Sequence, residues 1–476
     1  MILLKGPRGW PSILLAPAAG EPFAGLRRAI RELGPTATIA EIAASGLRGR
    51  GGSGYSAAAK WRAAAEAGRD TPGATRYVVI NGYGADPASL TDRTLLATNA
   101  AGVVEGAAIA ASAIGAQEAY VVARAGETAA IAALEAAIAA GRAAGLLGED
   151  VPGLGRRLEV EVRAVQGAYM LGEETVLLKA LEGKRGQPEQ RPPHPTEDGL
   201  WGKPTVVQNA QTAAAAAWIL RHGAAEFRKA GTAEEPGTIL VDVRGPGGAG
   251  VAEVPFGVTL GEIAALVGVV GGAEGGGGAA AVGTRGAAGS GTRGRGSGQR
   301  PVKAIVVGGP SGGILPADRL TTPYTYAALR AAGAHVGSGS IIVADDRACI
   351  VDLARVLTRF CADEACGKTI PCRIGTRRLA EIGERLAAGT SRAGDLDLLV
   401  DLSDDIVGSG LCDHERLATL PLMSGLRYFR PEVEAHLEQG VCPAGVCRPT
   451  TLGRPATAPS PAPATGAASS TATSPA

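Results

Sequence analysis

The 47 lysines and arginines of this chain are balanced by 46 aspartates and glutamates, a net charge of +1, so no global field draws it to nucleic acid or to an anionic membrane. Its 476 residues suffice for about two to four domains, each able to bury its own core. Seven cysteines are an odd number and too sparse for a disulfide scaffold, which points to a reducing, cytoplasmic setting where thiols bind metal or pack as small hydrophobes.

At the start, Met1 to Pro7 has no basic stretch ahead of a long apolar run, so no secretion signal is expected. Residues 1–230 alternate β-rich runs at 77–80, 119–123 and 158–162 with Ala-rich helical stretches, the pattern of an α/β layer fold suited to a nucleotide-type cofactor. The glycine-rich stretch from Gly46 to Ser56 runs into a helix that Ser56 can cap. Backbone N–H groups in such a loop approach a phosphate closely, the helix N-terminus adds a dipole, and Arg50 and Lys60 add charge. An ordinary flexible turn is the competing reading, because the spacing matches neither a Walker loop nor a G-x-G-x-x-G after a strand. Residues 100–123 are the most apolar stretch, yet they carry Glu105 and Glu118 and have helix-then-strand texture. A buried α/β segment is expected there, with membrane contact only through a partner. Glu173 and Glu174 follow Gly172 at a helix mouth, where acids commonly serve the helix dipole. Gln208, Asn209 and Thr212 end a strand with amides and a hydroxyl, which suit a phosphate or ring edge as well as a solvated loop.

Residues 231–325 read as a small α+β module, with strands at 238–243 and 304–308 and a helix near 260–267. Its Gly-rich insertion at 271–300 has too little apolar bulk to offset the entropy of ordering it. From 326 to 440 apolar residues recur three and four apart, which predicts a helical bundle. That bundle carries Cys366-Gly-Lys-Thr-Ile-Pro-Cys372, with Cys412 about forty residues later. A tight Gly/Pro turn completed by a distant ligand is how iron–sulfur clusters are gripped, but three thiolates stand where a cubane takes four. Cys349 and Cys361 read as core packing, Cys361 reaching a cluster only if its helix end rearranges. The segment 441–476, rich in Ala, Pro, Thr and Ser, reads as a disordered tail.

In this order, Gly-Arg-Gly-Gly-Ser-Gly-Tyr, Gly-Glu-Glu-Thr, Leu-Glu-Gly-Lys-Arg-Gly-Gln-Pro, Gly-Lys-Pro-Thr-Val-Val, Val-Gly-Gly-Pro-Ser-Gly-Gly, the cysteine block and Phe429-Arg-Pro-Glu closely resemble one family. It is the flavin-carrying F (51 kDa) subunit of respiratory complex I, with its relatives in NAD-linked hydrogenases and formate dehydrogenases. The resemblance spans about residues 20–440 and implies a Rossmann-like FMN-binding α/β domain, a ubiquitin-like β-grasp (SLBB) module and an all-α bundle holding a [4Fe-4S] cluster. It implies that Gly49, Arg50, Gly51, Gly52 and Lys60 form the flavin loop, with Asn81, Tyr169, Gly172, Glu173, Asn209 and Thr212 completing the FMN pocket. Tyr55, Glu174 and Asp86 fall on the NAD(H) side, and Cys366, Cys372 and Cys412 on the cluster. No side-chain nucleophile or general base is required, so no catalytic residue is named.

Several positions depart from the family. Thr369 takes the middle place of its Cys-x-x-Cys-x-x-Cys, which leaves a [4Fe-4S] cluster with one iron held by water, by Thr369 or by nothing, or else a [3Fe-4S] cluster. Tyr83 and Gly84 replace two carboxylates, His194 a Phe and Gln208 an Asn, so flavin binding is expected to survive better than nicotinamide specificity. Cys442 and Cys447 look like the opening of a ferredoxin extension, and are expected to be vestigial or a metal or redox contact with a partner. The implied function is electron input, from NAD(P)H to FMN, to the cluster, and on to a ferredoxin-like protein, a [2Fe-2S] subunit or a membrane reductase. The alternatives are a flavin-binding electron-transfer adaptor that no longer oxidises NADH, and a scaffold with decayed redox sites.

Overall fold

The computed structural model describes residues 2–16, 20–67, 74–268 and 300–447. The expected Gly-rich insertion, save Arg300, and the expected tail beyond Cys447 lie outside them.

Runs of β-branched residues build the first sheet, from β1 (Tyr77–Asn81), β2 (Glu118–Arg124), β3 (Gly148–Val151), β4 (Arg156–Val165) and β5 (Thr205–Asn209). The order is β3-β4-β2-β1-β5, with β3 antiparallel to β4 and the other pairings parallel. Val78, Val79 and Ile80 are wholly buried in β1, each contributing roughly 1.5–3 kcal/mol of apolar burial. The chain leaves β1 toward β2 on one side and returns as β5 on the other, so the carboxyl ends of β1 and β5 form a switch point, where open α/β sheets bind ligands. Asn81 and Asn209 are register partners there.

The helix Ala100–Ile114 is buried almost throughout, and its small side chains let it cross Ala210–His222 closely. A Cβ on Gly106 would stand 1.9 Å from the Ala213 carbonyl oxygen, so only glycine fits. Glu105 on the same helix is fully buried, its carboxylate accepting from Arg221 Nε at 2.8 Å and from the Leu26 N–H at 3.1 Å. Among the described residues no single helix is long and apolar enough to cross a membrane; Thr91–Thr98 with Ala100–Ile114 passes by length and composition only as a pair bent by 94°.

The second sheet contains β6 (Thr238–Gly245), β7 (Gly248–Pro255), β8 (Val302–Val307), β9 (Gly313–Pro316) and β10 (Ser340–Asp345), in the order β7-β6-β10-β8-β9. Its middle strand, β10, runs parallel to β6 and antiparallel to β8. The boundary expected at 325 therefore cuts this sheet, because a long-range parallel pairing leaves no local mark in the sequence. The helix Leu260–Ala265 starts with a Thr259/Glu262 capping box. The bundle follows as Ile350–Asp363, Arg377–Ala388, Asp395–Ser409 and Leu420–Tyr428, with the π-helical turn Pro371–Thr376 and the short helix Asp413–Leu417 between them.

Hydrogen bonds tie the layers together at the switch point. The Tyr326 hydroxyl donates to the Gly49 carbonyl at 2.7 Å, the Tyr169 N–H donates to Glu364 at 3.0 Å, and Ser338 donates to Asp86.

Candidate functional site

Around the switch point opens a cleft of about 2010 Å³, and all fourteen expected cofactor residues, from Gly49 to Thr212, line it. Thr369 and Cys412 of the bundle line the same cleft, so the flavin-type and thiol-type sites are neighbours.

The glycine loop is held at both ends. Gly49 N–H donates to the Tyr55 carbonyl at 2.7 Å, and Ser56 caps the helix Ala57–Glu66 by accepting from the Ala59 N–H at 3.2 Å. Among the described residues no well-formed hydrogen bond engages the N–H groups of Gly51 and Gly52. Gln208, also on the wall, accepts at its Oε1 from Trp61 Nε1–H at 2.9 Å, and its buried Nε2 has no partner among the described residues. Free donors of this kind on a cradle beside a helix start fit an anionic, polar-edged cofactor such as FMN.

Arg50 departs from expectation. Its backbone N–H donates to Thr212 Oγ1 at 2.9 Å, but its guanidinium is turned into the junction with the second sheet. There it bonds the carbonyls of Arg48 (2.7 Å), Pro236 (2.8 Å) and Thr238 (3.1 Å), 4.7 Å from the Phe256 ring centre. Burial lowers its pKa to about 10. It thus fixes the loop and supplies no side-chain charge to a phosphate.

Lys60 does face the cleft, with its Nζ 2.8 Å from Glu174 Oε2 and 3.0 Å from the Val207 carbonyl. Burial would raise the Glu174 pKa, but Lys60 and Arg191 hold the carboxyl below its ordinary value. Glu173 takes the plain role as well: it caps the helix Glu174–Leu181, accepting from the Val176 N–H at 2.8 Å, and pairs with Arg191. Tyr55 is 57% exposed at the mouth, free to stack on a planar ring. Asp86 is buried, accepting from the Ala88 N–H at 2.8 Å and from Ser338, with its pKa raised by burial. Tyr83 and Gly84, at the places of the missing acids, engage Arg124: its guanidinium lies 4.6 Å from the Tyr83 ring centre and donates to the Gly84 carbonyl at 2.7 Å.

Asp92 escaped the sequence reading. It lines the cleft, accepts from Asn209 Nδ2 at 3.1 Å, and burial raises its pKa to about 6. Nothing in Thr-Asp-Arg at the start of a helix separates it from a surface acid. Arg191 was missed for the same reason.

Cys372 lies near enough to Cys366 and Cys412 to feel their charges, and Cys412 stands on the cleft wall. Gly367 turns the loop with φ +73°, and Cys372 lies in the π-helical turn Pro371–Thr376. Burial, followed by the charges of Glu415, Cys412 and Cys366, raises the Cys372 pKa to about 12. Cys412 is raised to about 11, mainly by burial. To ligate iron, Cys372 and Cys412 must give up these protons, which the charge of a bound metal would favour. Cys361 is core, its thiol 3.6 Å from the Pro310 carbonyl.

A second cluster corrects two expectations. Cys349 is core-packed as expected but also meets ligand-type groups, and Cys442 and Cys447, expected to be vestigial or a metal or redox contact with a partner, instead stand beside it within this chain. With His436 they bring four ligand atoms within 4.8 Å of one another. Cys349 Sγ lies 3.4 Å from His436 Nε2 and 3.5 Å from Cys447 Sγ, while His436 Nδ1 is fixed by the Glu432 carbonyl at 2.8 Å. Burial would raise the Cys442 pKa, but N–H groups of Cys447 and Val446 and the His436 and Cys349 side chains lower it to about 6. Three thiols and an oriented imidazole at this spacing can hold one tetrahedral ion such as Zn²⁺.

Fold and site together define a redox protein, with an anion cradle at the switch of a parallel sheet facing a thiol-bearing bundle. Residues 42–218 match the Nuo51 FMN-binding domain, and residues 352–436 match the NADH-ubiquinone oxidoreductase-F iron-sulfur binding region. The chain is 37% identical to the NADP-reducing hydrogenase subunit HndC of Solidesulfovibrio fructosivorans, over 87% of this chain and 78% of that one. It is 36% identical to the F subunit of NADH-quinone oxidoreductase of Mycobacterium tuberculosis, over 86% of each. A crystal structure of NAD+-reducing [NiFe]-hydrogenase in the H2-reduced state has a similar fold (TM-score 0.74, 31% identity); the likeness covers 88% of this chain and 65% of that one. The chain belongs to the family of NADH-quinone oxidoreductase F subunits.

Proposed function

We propose that this chain is the electron-input subunit of a larger redox assembly, oxidising NAD(P)H with FMN and an iron–sulfur cluster as its cofactors. Family membership supports this, and the observation that carries it is the single cleft joining the glycine loop to Thr369 and Cys412. When bound, FMN accepts a hydride as two electrons and releases them singly, and the cluster passes single electrons onward.

The residues serve that chemistry by binding and orientation. The Gly51 and Gly52 N–H groups receive the flavin phosphate, with Asn209 and Thr212 completing the cradle. Lys60 and Glu174 neutralise each other across the cleft, leaving the carboxylate to orient the nicotinamide. Tyr55 stacks on a base at the mouth, and Asp86, held by Ser338, closes the side against the second sheet. The strand order of that sheet, with its first and last strands parallel and adjacent, supports the β-grasp (SLBB) reading. Three cysteines support a [4Fe-4S] cluster with one non-cysteine ligand, or a [3Fe-4S] cluster, and the electrons then leave to a ferredoxin-like or [2Fe-2S] partner.

The adaptor reading is not favoured, because the relatives are nicotinamide-linked by name. Anaerobically purified chain is expected to bind one FMN and to reduce a one-electron dye with NADH only when FMN is present. Refusal of FMN, or dye reduction indifferent to it, overturns the proposal.

A further inference from the structure

We propose that Glu415 supplies the carboxylate that completes the cluster site where Thr369 stands in place of a cysteine. The inference deepens the iron–sulfur reading above and rests on it.

Glu415 is only 1% exposed, and it lies in the helix Asp413–Leu417, three residues after Cys412, which is that helix's N-cap. Its Oε1 accepts from Thr369 Oγ1 at 2.8 Å, and its Oε2 from the Leu411 N–H at 2.8 Å. Each oxygen keeps a further lone pair. The carboxylate also stands among the thiol-bearing segments, three residues after Cys412 and bonded to Thr369, which lies midway between Cys366 and Cys372. Among the described residues no lysine, arginine or histidine forms an ion pair with Glu415. A buried carboxylate held only by a hydroxyl and an amide is costly, unlike the buried Glu105, which has Arg221. Iron supplies the absent positive charge.

The chemistry of the alternatives favours the same residue. A threonine hydroxyl stays protonated and is a poor ligand beside thiolates, whereas a carboxylate is an anionic oxygen donor that iron accepts. Thr369 then positions: its O–H donates to Oε1 and orients the carboxylate, as partners of metal ligands commonly do. The exchange of a thiol at 369 for a hydroxyl and the buried acid at 415 become parts of one arrangement. Residue 415 carries no mark in the sequence, because it lies 46 positions from Thr369.

The test uses the full chain, reconstituted anaerobically with iron and sulfide, and reads iron per chain, Mössbauer spectra and low-temperature EPR. The wild type is expected to hold four irons, one with a distinct Mössbauer doublet. Glu415→Gln is expected to lose that iron, at least tripling the share of three-iron clusters, and adding Thr369→Cys is expected to restore four. Thr369→Val, which removes the hydroxyl and keeps the acid, is expected to retain four irons, and it decides the matter if Glu415→Gln does not fold. Four irons in Glu415→Gln with an unchanged distinct doublet, or loss of the fourth iron in Thr369→Val, overturns the assignment and points to water or Thr369. A wild type with three irons also overturns it. No cluster at all in the wild type would instead sink the iron–sulfur reading on which it rests.

Discussion

Glu173 and Glu174 are neighbours in sequence and divide two tasks between them. Glu173 is consumed by its helix, while Glu174 faces Lys60 in the cleft. Glu174→Gln is therefore expected to raise the KM for NADH about tenfold, the loss of about 1.4 kcal/mol, with flavin content unchanged. Equal loss of flavin in fluorescence titrations would show a structural role instead. Asp92 makes a pH-dependent case. Its folded-state pKa, raised from 3.8 to about 6, means that the folded protein holds this proton more tightly than the unfolded chain. Its contribution to stability is therefore full below pH 3.8 and falls as pH rises through 6. Asp92→Asn, which keeps an acceptor for Asn209, is expected to stabilise the protein by on the order of 2 kcal/mol at pH 7.5 and very little at pH 4. Denaturant melts at the two pH values check this; a gain independent of pH would contradict it. At this scale the sequence was legible wherever residue type alone dictates use, as in the glycine loop and the paired acids. It was silent on direction. The Arg50 side chain goes where carbonyls 186 and 188 residues away receive it, and no local pattern encodes that choice.

Elements carry a different kind of evidence. The crossing of Ala100–Ile114 over Ala210–His222 depends on Gly106, whose added Cβ would collide with backbone. Gly106→Ala is expected to cost more than about 3 kcal/mol, a large loss for one methyl group, seen as a lowered midpoint of thermal unfolding. An unchanged midpoint would mean that the helices part freely. The group of Cys349, His436, Cys442 and Cys447 fastens the segment after the bundle to the start of the helix Ile350–Asp363. Elemental analysis is expected to find one zinc per chain beyond the cluster iron, lost in His436→Ala together with protease resistance near residue 442. Full zinc retention in that variant would contradict the assignment. Strands β1, β2, β4, β6 and β8 were legible from their β-rich runs, and the bundle helices from periodicity. The place of β10 in the second sheet, and the union of cysteines 98 positions apart, were not, since long-range pairing is decided by burial and topology.

For the whole molecule, one arrangement matters: the cradle at the end of β1 and β5 and the thiols of the bundle share a wall. Tyr169 spans the two, with its ring 5.2 Å from Phe360 and 5.5 Å from His414. The motifs of each region were legible in the sequence, while the contact between regions depends on hydrogen bonds such as Tyr326 to Gly49 that join distant segments. The most direct test is anaerobic addition of NADH to the FMN-loaded, cluster-reconstituted chain, followed by visible absorption and EPR on the same sample. Bleaching of the flavin bands together with appearance of a reduced-cluster signal is expected. Flavin bands untouched by NADH, or bleached with no change at the iron, would contradict electron input through this cleft.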